Sequence, residues 1–326
     1  MKTDGVPANY IVGSLSAHRL SMRRYRVKQV DVFTDKPLAG NPLAVVLDAQ
    51  ALTREEMQKI AKEFNLSETT FVLPPTKPNA DYRVRIFTPS MELPFAGHPS
   101  IGTAYVLAEE GVLRLRGRLT TVHQQLEIGV LPLDIHRRGG RIERVVMEQA
   151  KPRFGRLFKD LRRIAAAAGV AARDIEETGL SPQLVSTGIN QLMVPVRTLK
   201  AVEQSRPDLG LLNALEREFG FYGCSLFTRE TLTAEASVHV RYYSPEVGVS
   251  EDPATGSAAG GLGAYLVRWN ILSGDRAASF VIEQGYEIGR PSRIYVEVKI
   301  VNRAPVRVRV GGETVPVMEG VITLPS

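Results

Sequence analysis

Two short stretches of this 326-residue chain place an ionisable side chain just ahead of a helix start. His98 is followed by Pro99-Ser100-Ile101-Gly102-Thr103-Ala104, and Asp252 by Pro253-Ala254-Thr255-Gly256-Ser257-Ala258. In each, a polar residue, a proline and a glycine-containing turn open a run of small residues. Proline suits the first helical position, and the residue before it is placed to cap. The free N–H groups and positive dipole end of such a helix favour an anion. Two such ends facing one cleft would hold a carboxylate or an enolate-like oxygen, with His98 and Asp252 as groups able to move a proton. The plainer alternative makes both residues caps and nothing more. A third ionisable group, Glu68, stands in Asn65-Leu66-Ser67-Glu68-Thr69-Thr70-Phe71, where a helix gives way to an apolar strand. Its pattern alone reads as an exposed charge.

The elements that must position these residues recur. Arg83 to Pro89 resembles His239 to Pro245, and each is followed after a short loop by one of the two helix starts. Upstream, Glu63-Phe64 before the strand Thr69–Leu73 resembles Glu218-Phe219 before Ser225–Thr228. The order helix, strand, strand, loop, small-residue helix thus occurs twice, about 155 residues apart, which predicts two similar lobes with a cleft between them. Thr53 and Glu56 predict a capping box, Leu52 and Met57 a hydrophobic staple, and Met57, Ile60, Ala61 and Phe64 one apolar helix face. The body opens with strands at Val27 to Phe33 and Leu43 to Leu47, and a helix is expected from about Pro99 to Glu110. Gly139-Gly140 and Gly311-Gly312 both read as two-residue hairpin turns. Frequent hairpins with few helices point to antiparallel sheets and an α+β fold.

Composition narrows the function classes. Apolar residues make up 44% and charged residues 23%, which suits a globular protein and excludes disordered or collagen-like chains. No apolar run approaches the roughly 18 residues of a membrane helix. The net charge of +6 comes from 41 basic residues interleaved with 35 acidic ones. No nucleic-acid module or aromatic interleaving accompanies the short basic clusters, so the partner expected is a small acidic molecule and not nucleic acid or membrane. A single cysteine, Cys224, excludes an internal disulfide, a multi-cysteine zinc site and any two-thiol mechanism; it reads as a core residue of an intracellular chain. His18, His123, His136 and His239 lack neighbours at metal-ligand spacing and read as surface or structural. Gly260-Gly261-Leu262-Gly263 reads as a close-packing stripe, and Tyr265 with Trp269 as a packed helix face. Residues 1–24 read as an extension with one apolar patch, Tyr10 to Val12, and no secretory signal.

Several segments fall together in an order that resembles one family. They are Val30-Asp31-Val32-Phe33-Thr34, Gly40 to Val46, Asn65 to Phe71, Phe95-Ala96-Gly97-His98-Pro99, Glu251 to Ala258, and Gln284-Gly285 with Gly289-Arg290-Pro291-Ser292. Together they are similar to the PhzF family, named for phenazine biosynthesis. The resemblance implies a diaminopimelate-epimerase-like fold: two lobes, each a mostly antiparallel sheet wrapped around a central helix, with the active site between them. The lobes would span residues 25–138, completed by about 312–326, and 139–311. It also implies a cytoplasmic homodimer that needs no cofactor or metal. Glu68 matches the family's proton-shuttling glutamate, and His98 and Asp252 match its histidine and aspartate. Gly97, Gly256 and Ser257 match the substrate-binding loop residues. Epimerases of this fold carry one cysteine in each loop; neither loop here has one. The activity expected is isomerisation of a small carboxylate-bearing metabolite by general acid/base catalysis. A lyase or epimerase on the same scaffold, or a ligand-binding protein without activity, stands as the alternative.

Overall fold

A computed structural model describes residues 22–326 other than 273 and 275. Residues 1–21, with the Tyr10–Val12 patch and His18, lie outside the described residues. The first half contains β1 (Met22–Val32), β2 (Asn41–Val46), α1 (Arg54–Phe64), β3 (Glu68–Leu73), β4 (Tyr82–Phe87), β5 (Glu92–Leu93), α2 (Gly97–Glu109), β6 (Leu119–Leu126), β7 (Gly129–Arg138) and β8 (Arg141–Glu148). The second contains β9 (Arg153–Leu157), α3 (Leu161–Ala168), α4 (Ala172–Glu176), β10 (Gln183–Ser186), β11 (Asn190–Pro195), α5 (Leu199–Glu203), α6 (Leu209–Phe219), β12 (Cys224–Thr228), β13 (Val238–Ser244), β14 (Val249–Asp252), α7 (Gly256–Arg268), β15 (Ala277–Gln284), β16 (Ser292–Val301) and β17 (Ala304–Gly312). The last strand, β18 (Thr314–Pro325), returns to pair with β1.

The sequence repeat is a repeat of topology. Pairing in the first half runs β18–β1–β2–β3–β4–β6–β7–β8. In the second it runs β9–β10–β11–β12–β13–β15–β16–β17. Both follow one pattern: two antiparallel steps, a parallel step, an antiparallel step, a parallel step and two antiparallel steps. The short strands β5 and β14 hang on β4 and β13 in the same way. Antiparallel pairing of β8 with β17 joins the halves. Each half wraps one 13-residue helix, α2 or α7, buried along nearly its whole length. These helices are apolar or small on every face, as helices enclosed by sheet must be.

Local signals account for much of this. The Thr53 side chain accepts from the Glu56 N–H, and the Glu56 carboxylate accepts from the Thr53 N–H, so α1 starts on the expected capping box. Gly139 and Gly140, at φ 58° and 84°, turn β7 into β8 as a two-residue hairpin. Strand β1 begins at Met22, earlier than the expected Val27, because its whole length finds partners on β18.

Two expectations are corrected. Gly311-Gly312 is not a hairpin turn: both residues continue β17 and pair with Val146 and Val145 of β8. They are glycines because of close approach. A Cβ on Gly312 would lie 2.4 Å from Phe33 Cδ1, and one on Gly311 2.6 Å from Val146 Cγ2. The helix starts also differ. Thr255 caps α7 and Pro253 precedes it, while α2 begins at Gly97 with Pro99 already inside. Neither His98 nor Asp252 is a cap. Asp252 ends β14, opposite Tyr242 of β13, in the extended backbone that a following proline favours.

Candidate active site

The parallel pairing of β2 with β3 sets Glu68 beside Leu43 at the first position of β3. His98 is the second residue of α2, and its side chain is buried. These elements bring His98 Nε2 within 3.4 Å of Glu68 Oε2. Asp252 comes from the other half and stands close enough for its charge to act on Glu68. Its carboxylate accepts from Asn41 Nδ2 at 2.9 Å and from the Thr255 hydroxyl, and Gln284 Nε2 donates to its main-chain carbonyl at 2.7 Å. Asn41 Nδ2 also donates to the Ala254 carbonyl at 2.9 Å, tying β2 of the first half to the β14–α7 loop of the second. The helix starts abut: a Cβ on Gly97 would lie 3.2 Å from the Ser257 nitrogen and 3.5 Å from Gly256 Cα. Two sets of unpaired N–H groups therefore converge where an anion would be welcome.

Burial decides the protonation states. It pushes the Glu68 carboxyl up to about 8, with the Asp252 charge adding to the rise. It pushes the His98 imidazole down to about 3, against the hydrogen bond to the Pro42 carbonyl. Because Nε2 of His98 has no hydrogen-bond partner, the bond to Pro42 belongs to Nδ1, which must carry the proton. Nε2 is then a bare acceptor facing Glu68. A 3.4 Å approach of histidine to glutamate has the geometry of an ion pair, but with His98 buried and the part-buried Glu68 turning a shielded Oε2 toward it, the neutral pair, imidazole and carboxylic acid, is favoured. Asp252 rises to about 6 through burial, opposed by hydrogen bonds from Thr255, Asn41 and Ser67, and so is mostly ionised at pH 7.

Four buried polar atoms here lack any partner among the described residues: Glu68 Oε2, His98 Nε2, Asn41 Oδ1 and Gln191 Oε1. A buried polar atom left unpaired costs about 1–3 kcal/mol, so such a group is poised for a ligand. No set of three or more His, Cys, Asp or Glu side chains gathers as a metal site among the described residues.

The structure thus brings together Glu68, His98, Asp252, Gly97, Gly256 and Ser257. It changes how the repeat maps them. Sequence matching set His98 against Asp252, but the helices set Gly97-His98 against Gly256-Ser257, the first two residues of each. Glu68 is not an exposed charge. Its register mate in the second half is Gly223: Phe87 pairs with Thr69 and its repeat mate Tyr243 with Cys224, so Cys224 matches Thr69. Cys224 is fully buried in the core. Sequence reasoning missed Asn41, Gln149 and Gln191. Gln149 Nε2 donates to the Gly256 carbonyl at 2.8 Å and its Oε1 accepts from Thr187 at 2.6 Å, bracing the first turn of α7. The available signal was a lone amide inside an apolar strand, as in Gln191-Leu192-Met193-Val194.

A family model described as "Phenazine biosynthesis-like protein" matches residues 30–320. The chain belongs to that family. Among its PhzF-family relatives, trans-2,3-dihydro-3-hydroxyanthranilate isomerase of Pseudomonas aeruginosa is 35% identical over 301 residues, covering 92% of this chain and 99% of the relative. The solved PhzF-family protein of Bacillus anthracis superposes with a TM-score of 0.84 at 32% identity, covering 92% of this chain and 99% of that one. A hydroxyproline epimerase from Agrobacterium vitis, at 11% identity and a TM-score of 0.65, covers 93% of this chain and 94% of that one and shares the fold alone. The PhzF fold is therefore the epimerase-like α+β fold with two lobes. No helix among the described residues is long and apolar enough to cross a membrane.

Proposed function

We propose that this PhzF-family protein is an isomerase that moves a proton between carbons of a small carboxylate-bearing substrate, with Glu68 as the shuttling acid/base. The observation that carries the reading is the buried pair, Glu68 Oε2 and His98 Nε2 at 3.4 Å, each without another partner. A free glutamate is too weak a base to take a carbon-bound proton; one raised to about 8 is matched to neutral pH. The cycle begins with the minority ionised form, roughly a tenth of molecules at pH 7. Glu68 takes the proton from a carbon made acidic by the neighbouring substrate carboxylate. The negative charge spreads over the substrate and is met by the N–H groups at the starts of α2 and α7. The same carboxyl then returns the proton to another carbon. His98, neutral and held by Pro42, accepts a hydrogen bond from substrate or from the protonated Glu68. Asp252 orients the substrate by accepting from its hydroxyl or amino group.

Asp252 also favours a second reading. It is another titratable carboxyl in the same site, at about 6, and on the opposite side of the substrate it would make an epimerase. Proton NMR separates the outcomes when the protein is given trans-2,3-dihydro-3-hydroxyanthranilate, the compound in the name of the P. aeruginosa relative. An isomerase moves a double bond, an epimerase inverts a stereocentre with connectivity unchanged, and a lyase releases a fragment. No conversion, together with a ligand-induced rise in melting temperature, would replace the proposal with a binding protein.

A further inference from the structure

Ser257 is the second residue of α7, and its hydroxyl can either donate or accept; what decides is Gln191. The Tyr242 hydroxyl donates to the Tyr222 carbonyl at 2.8 Å, which uses its only proton. Gln191 lies 3.2 Å from that same hydroxyl, so the group it presents must be the amide NH2. This settles which end of the Gln191 amide is nitrogen. The same Nε2 lies 3.2 Å from Ser257 Oγ and donates to it. Ser257 has thereby accepted a hydrogen bond, and among the described residues its own O–H finds no acceptor. Ser257 itself stands where the helix starts meet, its nitrogen 3.2 Å from where a Cβ on Gly97 would lie.

From this chain of bonds we infer that Gln191 is a positioning residue that holds the Ser257 hydroxyl as a donor into the cleft, so that the site favours a ligand oxygen that accepts there, and a charged carboxylate over the weaker acceptor of its neutral amide. The inference rests on the reading of this cleft as the substrate site. Gln191 is 2% exposed, and its Oε1 is one of the four unpaired atoms.

The test is calorimetric titration of the full chain at pH 8 with anthranilate and with anthranilamide, which differ only at the acid group. The wild type should prefer anthranilate. Gln191→Leu should weaken anthranilate about tenfold or more, the loss expected for a hydrogen bond to a charged group, and anthranilamide by a smaller factor, since its neutral carbonyl is the weaker acceptor. Ser257→Ala should do the same, and the double variant should be no worse than Ser257→Ala alone. Gln191→Glu should reverse the preference, because a carboxylate at 191 draws the Ser257 proton to itself. Unaltered anthranilate affinity in Gln191→Leu, or losses that add in the double variant, would overturn the inference and leave the substrate site standing. Failure of the wild type to bind either compound would overturn both. A fall in melting temperature with an unchanged anthranilate-to-anthranilamide ratio would mean that Gln191 is only structural, and would also overturn it.

Discussion

Replacing Glu68 by glutamine should cost activity and raise stability, and the size of both effects follows from its burial. A glutamate held at about 8 in the fold and near 4.5 when unfolded binds its proton more tightly in the native state. Stability from such a group is complete below about pH 4.5 and is lost as pH rises through 8, because the carboxylate must then be buried charged. At about 1.4 kcal/mol per pH unit, the loss is roughly 3 kcal/mol by pH 7 and 4 by pH 8, and under 1 at pH 5. Glutamine has nearly the same shape, carries no charge and can donate to the bare Nε2 of His98. Glu68→Gln should therefore melt roughly 5–10 °C above wild type at pH 8 and nearly with it at pH 5. Its turnover should fall by at least about 10² to 10⁴. Melts of both proteins across this range, with steady-state rates alongside, make the assay. A variant less stable than wild type at pH 8, or a gap that does not change with pH, would refute the buried neutral carboxyl. Near-normal turnover would refute its role as the base and pass that role to Asp252.

Cys224→Ala should keep turnover within about twofold, since the thiol is buried away from the paired carboxyl and imidazole; its cost should appear only as a loss of about 1–2 kcal/mol in denaturant melts. His239 is the opposite case to His98: burial would lower it, but hydrogen bonds to Glu283 and Glu287 outweigh that and push it up to about 9. Its stabilising effect should be full below about pH 6.5 and lost as pH rises through 9, so His239→Gln should lower the melting temperature at pH 6 by several degrees and much less at pH 9.5. In deuterated water the product should gain deuterium at the carbon that receives the proton if Glu68 exchanges with solvent during its lifetime; mass spectrometry reads this directly, and a label at an unmoved stereocentre would favour the epimerase.

How much was legible in the sequence depended on how local each cause is. The α1 capping box and the Gly139-Gly140 turn are settled within a few residues, and both formed as expected. The repeat was legible because each copy must solve the same packing problem, and it emerges strand for strand. Gly311-Gly312 misled because a glycine pair can serve a turn or a close approach, and the reason here, Phe33, lies far away in sequence. The helix starts were misplaced for a similar reason. Proline marks both, but the β13–β14 ladder holds Asp252 in a strand, while nothing keeps His98 out of α2. Asn41 and Gln191 were invisible as site residues, since a buried amide is recognised by the partner it meets from the other half or from another strand.

The return of β18 to β1 sets the order in which the chain can finish folding. Arg23 donates to the Pro325 carbonyl, 302 residues away in sequence. Contacts of such separation are slow to close because so much chain must be ordered first. On the ribosome, the first half emerges with β1 lacking one neighbour until β18 has been made. The second half, by contrast, has every strand from β9 to β17 within one continuous stretch. The half made first is therefore the half completed last. A chain cut short before β18 would keep its second half paired and leave β1 with an open edge, the kind of strand that recruits other chains into aggregates.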